Sequence, residues 1–166
     1  MSGGYVMNED GTLRQPETNA TVPKLNSAAL QFTPEGAELA ARYFVESLEY
    51  AWETGDVSPL RNLCSSESNY CSRNIDEIQE TYDSGGWVSG LDYRTTETKH
   101  IQLLDPSSGF SDTYGLVLAV TSAAHAAFDD EGLSQLPEEK VFLSILVSWM
   151  GDHWQVTSVD SETTDV

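Results

Sequence analysis

Residues 33–56, Thr33-Pro34-Glu35-Gly36-Ala37-Glu38-Leu39-Ala40-Ala41-Arg42-Tyr43-Phe44-Val45-Glu46-Ser47-Leu48-Glu49-Tyr50-Ala51-Trp52-Glu53-Thr54-Gly55-Asp56, decide the fold. Thr33 is placed to cap a helix that Pro34 opens at its first position, and Gly55 to close it after Thr54. Ala37, Ala40, Phe44, Leu48 and Ala51 recur at helical spacing, with Tyr43 and Trp52 beside them, so one apolar stripe runs along this helix. Such a stripe needs a partner layer to cover it.

The chain downstream supplies two more helices and then changes period. Ser58 and Pro59 predict a second, short helix ending near Cys64, and a third is expected from about Ser72 to Asp83, with Ile75, Ile78 and Tyr82 on one face and Gly85-Gly86 as its stop. Trp87 to Leu91 and Asp92 to Leu104 read as one bent strand or two, separated at Gly90, before the turn at Asp105-Pro106-Ser107-Ser108-Gly109. Tyr114 to Phe128 alternates as one long mid-sheet strand, with Tyr114, Leu116, Leu118, Val120, Ala124, Ala126 and Phe128 on one face. Asp129 to Glu139 reads as an acidic loop, and Val141 to Trp149 with His153 to Val159 as a closing hairpin turned at Gly151-Asp152. These elements predict an α+β domain in which three N-terminal helices pack on one face of a curved, mostly antiparallel sheet. No internal repeat is visible.

With 166 residues the chain fits one domain, and a domain of this size buries roughly 70% of its unfolded surface. The expected division is a flexible linker or strap at 1–32, the domain at 33–160 and a frayed tail at 161–166. The strap is poor in apolar residues, and Tyr5 to Leu13, centred on Asp10-Gly11, has the chemistry of a small hairpin against the domain. Twenty-seven acidic residues against 8 basic ones give a net charge of −19, which repels nucleic acid and anionic lipid and leaves cations and basic partners open. No apolar run is long enough to span a membrane, and Met1-Ser2-Gly3-Gly4 leads into polar sequence with no basic and apolar leader, as expected also of a chain trimmed of one. Asn19-Ala20-Thr21 matches a glycosylation sequon, a pattern too short to carry weight by itself.

Few residues carry chemistry. Cys64 and Cys71 flank a polar stretch, and as a disulfide they close a loop of about eight residues, worth about 2.5 kcal/mol by chain entropy. That reading places the chain outside the cytoplasm; the alternative is two reduced thiols, one of them in the core. The histidines, His100, His125 and His153, all fall on expected strands. His125, with Asp129 and Asp130 beyond it, is the candidate for a general base, and a half-exposed strand histidine is the plainer reading. Tyr43, Trp52, Tyr82, Trp87, Tyr93 and Trp149 are the candidates to line a pocket between helices and sheet, although core packing uses the same residues. No metal-ligand spacing, nucleophile elbow or phosphate loop occurs, so neither metal nor cofactor is expected.

In its order of elements the chain resembles the superfamily of nuclear transport factor 2 and ketosteroid isomerase, in which a curved sheet folds as a cone around three helices. Within it, the chain is similar to a group of actinobacterial envelope lipoproteins of unknown function. That resemblance rests on Tyr50-Ala51-Trp52-Glu53-Thr54-Gly55-Asp56, on Leu60 and Leu63, on the Cys64 and Cys71 pair, and on Tyr82 with Gly85-Gly86 and Gly90. It implies a lipidated cysteine upstream, which this sequence does not contain, and brings no established catalytic residues. Membrane contact is then expected only through such an anchor, and pairing of two copies through the sheet is a further expectation.

Two functional expectations follow. One is an extracytoplasmic, non-catalytic binding or interaction module, taking a small apolar ligand in the cone or an envelope protein on the open face of the sheet. The other is a small isomerase, dehydratase or cyclase using a buried acid or His in the same cone.

Overall fold

The computed structural model describes residues 5–18 and 20–163, so Met1 to Gly4, Asn19 of the sequon and residues 164–166 lie outside the described residues. Helices α1 (Pro34–Thr54), α2 (Ser58–Leu63) and α3 (Asn69–Asp83) precede strands β1 (Trp87–Ser89), β2 (Tyr93–Leu103), β3 (Thr113–Ser122), β4 (His125–Asp129), β5 (Gly132–Leu136), β6 (Glu139–Trp149) and β7 (Trp154–Thr163). The architecture is α+β, with every strand pairing antiparallel.

Helix α1 has the predicted ends. Thr33 Oγ1 accepts the Gly36 amide at 2.9 Å, and Gly55, at φ 80, takes the left-handed cap position that favours glycine. Ala37, Ala40, Phe44, Leu48 and Ala51 are all buried. The later helices start differently from expectation. Asp56, ahead of Ser58, holds the start of α2, its Oδ1 accepting the Ser58 amide at 3.0 Å. Helix α3 begins at Asn69, earlier than the expected Ser72, because Ser68 Oγ accepts the Cys71 amide at 3.3 Å. Cys71 therefore lies within α3 and Cys64 at the cap of α2.

The single curved sheet resolves into two. Strands β2-β3-β6-β7 form one sheet and β1-β4-β5 a smaller one. The expected strand from Tyr114 to Phe128 breaks at Ala123 and Ala124, where the chain leaves the large sheet for the small one. A parallel transfer occurs at Gly90, whose φ of 81 turns the chain from β1 into β2. The two crossings are tied together by the Ala123 amide donating to the Asp92 carbonyl at 2.9 Å. The acidic stretch expected as a loop instead holds β5, which pairs with β4 from His125↔Leu136 to Asp129↔Gly132. Its apolar Leu133 and Leu136 were outnumbered by polar neighbours in the sequence. His153 lies in the turn before β7 and not on a strand, and Ser161 and Thr163 pair with Leu143 and Val141, so the sheet runs into the segment expected to fray.

The main core lies between the helices and the large sheet, around Phe44, Leu60, Ile78, Leu118 and Ile145, each fully buried. A satellite core of Leu13, Trp87 and Ala126 lies against the small sheet. Residues 5–18 form its cover: Met7 bridges Leu13 around a turn at Gly11, and the Trp87 indole donates to the Leu13 carbonyl at 2.8 Å. The chain then passes along α1 from its C-terminal to its N-terminal end, where the Ala29 carbonyl accepts the Trp154 indole at 2.6 Å.

Candidate functional site

The place to look for chemistry in this fold is the space between α1 and the large sheet. Phe44, Leu48 and the inward residues of β3 and β6 fill most of it. Among the described residues a cleft of ≈ 130 Å³ lies there, lined by Val45, Leu48, Tyr70, Tyr93, Val120 and Leu143, with Ser122, Glu139 and Ser161 also on its walls. Small-molecule sites are roughly 300–1,000 Å³, so this cleft holds a few heavy atoms at most. Burial pushes the Tyr93 phenol above its ordinary value. Beside it, the Glu49 carboxylate accepts the Tyr93 amide; burial raises the Glu49 carboxyl, and the nearby Asp92, Glu53 and Glu46 add to that.

The aromatic candidates do not converge. Of them, Tyr93 lines the cleft, joined by Tyr70, which the sequence placed in a loop. Tyr43 packs at the edge of the main core, Trp87 sits in the satellite core stacked on Phe128 at 5.8 Å, and Trp149 stands at the far end of the sheet, 5.1 Å from Trp154. Trp52 donates to Asn74 Oδ1 at 3.1 Å. His125 is half-buried with Nδ1 2.8 Å from the Ala123 carbonyl, and it does not line the cleft.

Polar groups converge elsewhere, at the C-terminal end of α1. The last carbonyls of a helix have no partner within it and must find one outside. Tyr82 Oη donates to the Trp52 carbonyl at 2.5 Å, and Gln15 Nε2 lies 2.7 Å from the Glu53 carbonyl, 3.0 Å from that of Val88 and 3.2 Å from Tyr82 Oη. The buried Glu53 carboxylate accepts the Leu91 amide and, at 2.7 Å, the Thr18 hydroxyl. This clasp joins residues 15–18, α1, α3 and the β1–β2 connection. Tyr82 carried part of the sequence signal; Gln15 and Thr18 gave none, being polar residues in a polar segment.

Cys64 and Cys71 are joined as a disulfide with Cα atoms 6.3 Å apart. It ties α2 to the first turn of α3, while Ser65 donates its amide to the Val156 carbonyl at 2.7 Å and so fixes the pair to β7. Among the described residues no group of His, Cys, Asp and Glu is arranged to hold a metal ion, and no helix is long and apolar enough to cross a membrane.

The other candidate surface is the outer face of the large sheet, away from the helices. Val117 and Ala119 of β3 and Phe142 and Leu146 of β6 form a half-buried apolar row. Gly115 makes a hollow of ≈ 250 Å³ there, with Leu104 and Leu146 on its sides. Arg94, Lys99 and Lys140 stand on this face with Glu97, Asp160 and Glu162, so it is close to neutral on a chain of net charge −19.

Residues 7–160 match the model of a family of unknown function, DUF6318, and the chain belongs to that family. No curated protein matches it. Among solved structures it is similar to the intermembrane space region of the chloroplast protein ARC6, at 13% identity and a TM-score of 0.60, over 81% of this chain and 99% of that one. It is also similar to an uncharacterized protein with a cystatin-like fold from Caulobacter vibrioides, at 9% identity and a TM-score of 0.52, over 78% of this chain and 91% of that one. An NTF2-like protein of unknown function from Rhodospirillum rubrum aligns at 17% identity and a TM-score of 0.44, over 74% and 97% of the two chains. At these identities the likeness concerns the fold alone.

Proposed function

We propose that this chain is an extracytoplasmic, non-catalytic interaction module on a nuclear transport factor 2-like cone, of the kind found in actinobacterial envelope lipoproteins. The observation that carries this reading is the filled cone. A cleft of ≈ 130 Å³ has no room for an apolar substrate, and His125 is turned to its own backbone beyond it. The Cys64–Cys71 bridge supports an oxidising compartment. Membrane contact comes only through a lipid anchor upstream of the domain.

The docking surface is the outer face of the large sheet. An apolar row on a nearly neutral face is the feature a protein partner can bury without charge repulsion. The first occupant to test is a second copy, since Arg94, Lys99 and Lys140 can meet Glu97, Asp160 and Glu162 across a two-fold axis. Sedimentation of the full chain at physiological salt is expected to show a concentration-dependent dimer that Leu146→Asp abolishes. A monomer at every concentration removes the second copy and leaves the face to an envelope protein.

A further inference from the structure

Among the described residues, Leu30, Phe32, Leu103, Phe110 and Met150 are exposed large apolar residues, and the backbone carries all five to the end of the domain where α1 begins. The strand register brings them together. Leu103 pairs with Tyr114 and Trp149 with Trp154, and the Trp149 amide donates to the Asp112 carbonyl at 2.8 Å, which sets the loop carrying Phe110 beside Trp149. Phe32 is the centre. Its ring lies 5.8 Å from Tyr114, 6.0 Å from Trp154 and 6.3 Å from Trp149, yet it is 40% exposed. A side chain held by three aromatic rings loses little freedom on binding, which lowers the cost of docking against it.

We infer that this aromatic end docks a partner polypeptide segment that presents apolar side chains interleaved with Lys or Arg. The charge around the patch selects that occupant. Residues 27–42, 103–115 and 147–156 contain Glu35, Glu38, Asp105, Asp112 and Asp152 against one basic residue, Arg42, which pairs with Glu38 at 3.6 Å and leaves four acids without a Lys or Arg among them. An anionic lipid surface is repelled by such a rim, and a second copy would bring the same acids to face these. An apolar centre with an acidic rim matches a basic amphipathic segment, whose apolar side chains meet Phe32 and Met150 while its cations meet the carboxylates. The inference rests on the interaction-module reading and uses a surface distinct from the outer face of the sheet.

The test uses the full chain and a fluorescently labelled amphipathic peptide built of Leu and Lys, with an all-Lys peptide of equal length for comparison. The Leu/Lys peptide is expected to bind with anisotropy changes that weaken on adding salt, and the all-Lys peptide about tenfold more weakly. The double substitution Phe32→Ser with Met150→Ser is expected to weaken Leu/Lys binding by about tenfold or more, and Met150→Ser alone, at an exposed side chain, to weaken it with an unchanged thermal midpoint. Asp152→Lys, which removes only a surface contact to His153, is expected to weaken it as well. Equal binding of both peptides, or equal binding by the double variant, overturns the inference. So does a peptide site lost in Leu146→Asp but kept in the double variant, which moves docking to the sheet and leaves the module reading standing. Anionic vesicle binding or a dimer that the double variant abolishes overturns it in favour of a lipid surface or a second copy.

Discussion

Gly55 and Tyr82 are in direct contact at the end of α1: a Cβ added to Gly55 would stand 2.8 Å from the Tyr82 Cγ. The Thr54-Gly55-Asp56 helix end and Tyr82 of α3 are thus parts of one joint. Gly55 supplies the left-handed turn that ends α1, and its missing side chain lets Tyr82 reach the Trp52 carbonyl.

Gly55→Ala is expected to cost about 1–3 kcal/mol, from both the positive φ and the collision with the Tyr82 ring. Gly109→Ala is the comparison, because Gly109 has a φ of 93 with open space around it. It is expected to cost only about 1 kcal/mol. Urea unfolding of the two variants measures the difference, and equal losses would mean that the ring contact contributes nothing.

Reducing the Cys64–Cys71 bridge, or replacing both cysteines with Ser, releases a loop of sequence separation 7. The expected loss is about 2.5 kcal/mol, most of it through the unfolded state. A chemical denaturation midpoint that does not move with added reductant contradicts this.

Gln15→Ala leaves the Glu53 carbonyl at the helix end without its donor. An unpartnered buried acceptor costs about 1–3 kcal/mol, so the clasp is expected to loosen by that amount. Hydrogen exchange at the Trp87 indole, which is bonded to Leu13, is the local readout and is expected to accelerate. Unchanged protection of that proton would show that residues 5–18 are held without Gln15.

Burial raises the Glu49 carboxyl above its ordinary value of 4.5. An acid raised in the folded state contributes stability that is fully present below its unfolded value and is lost as pH climbs through the folded one. Glu49→Gln is therefore expected to be more stable than the parent chain at neutral pH, with the advantage vanishing as pH falls below 4.5. A constant difference across that window would assign the effect to packing.

Helix α1 was legible because Thr33, Pro34 and Gly55 punctuate it, whereas α3 was expected from Ser72 and in fact starts behind Ser68, whose bond to the Cys71 amide appears only in the structure. The division into two sheets was not legible, because Ala123 and Ala124 continue the alternation that the backbone breaks. Strand β5 was hidden for a similar reason, since Ser134 and Gln135 face solvent and only pairing with β4 makes that segment extended. The aromatic candidates were legible as packing residues, Trp87 alone of them being fully buried, but not in how they divide among the main core, the satellite core, the clasp and the far end of the sheet. Their positions depend on which sheet each strand joins, and no local pattern carries that.

In the proposed function the cone between α1 and the large sheet is a core and not a receptor for small molecules. Its most direct test is methyl-resolved NMR of the full chain titrated with a steroid and a medium-chain fatty acid, read at Leu48, Val120 and Leu143 on the cleft walls. No saturable shift is expected at these methyls with either compound. Saturable shifts confined to them would contradict this and make the cone a ligand site.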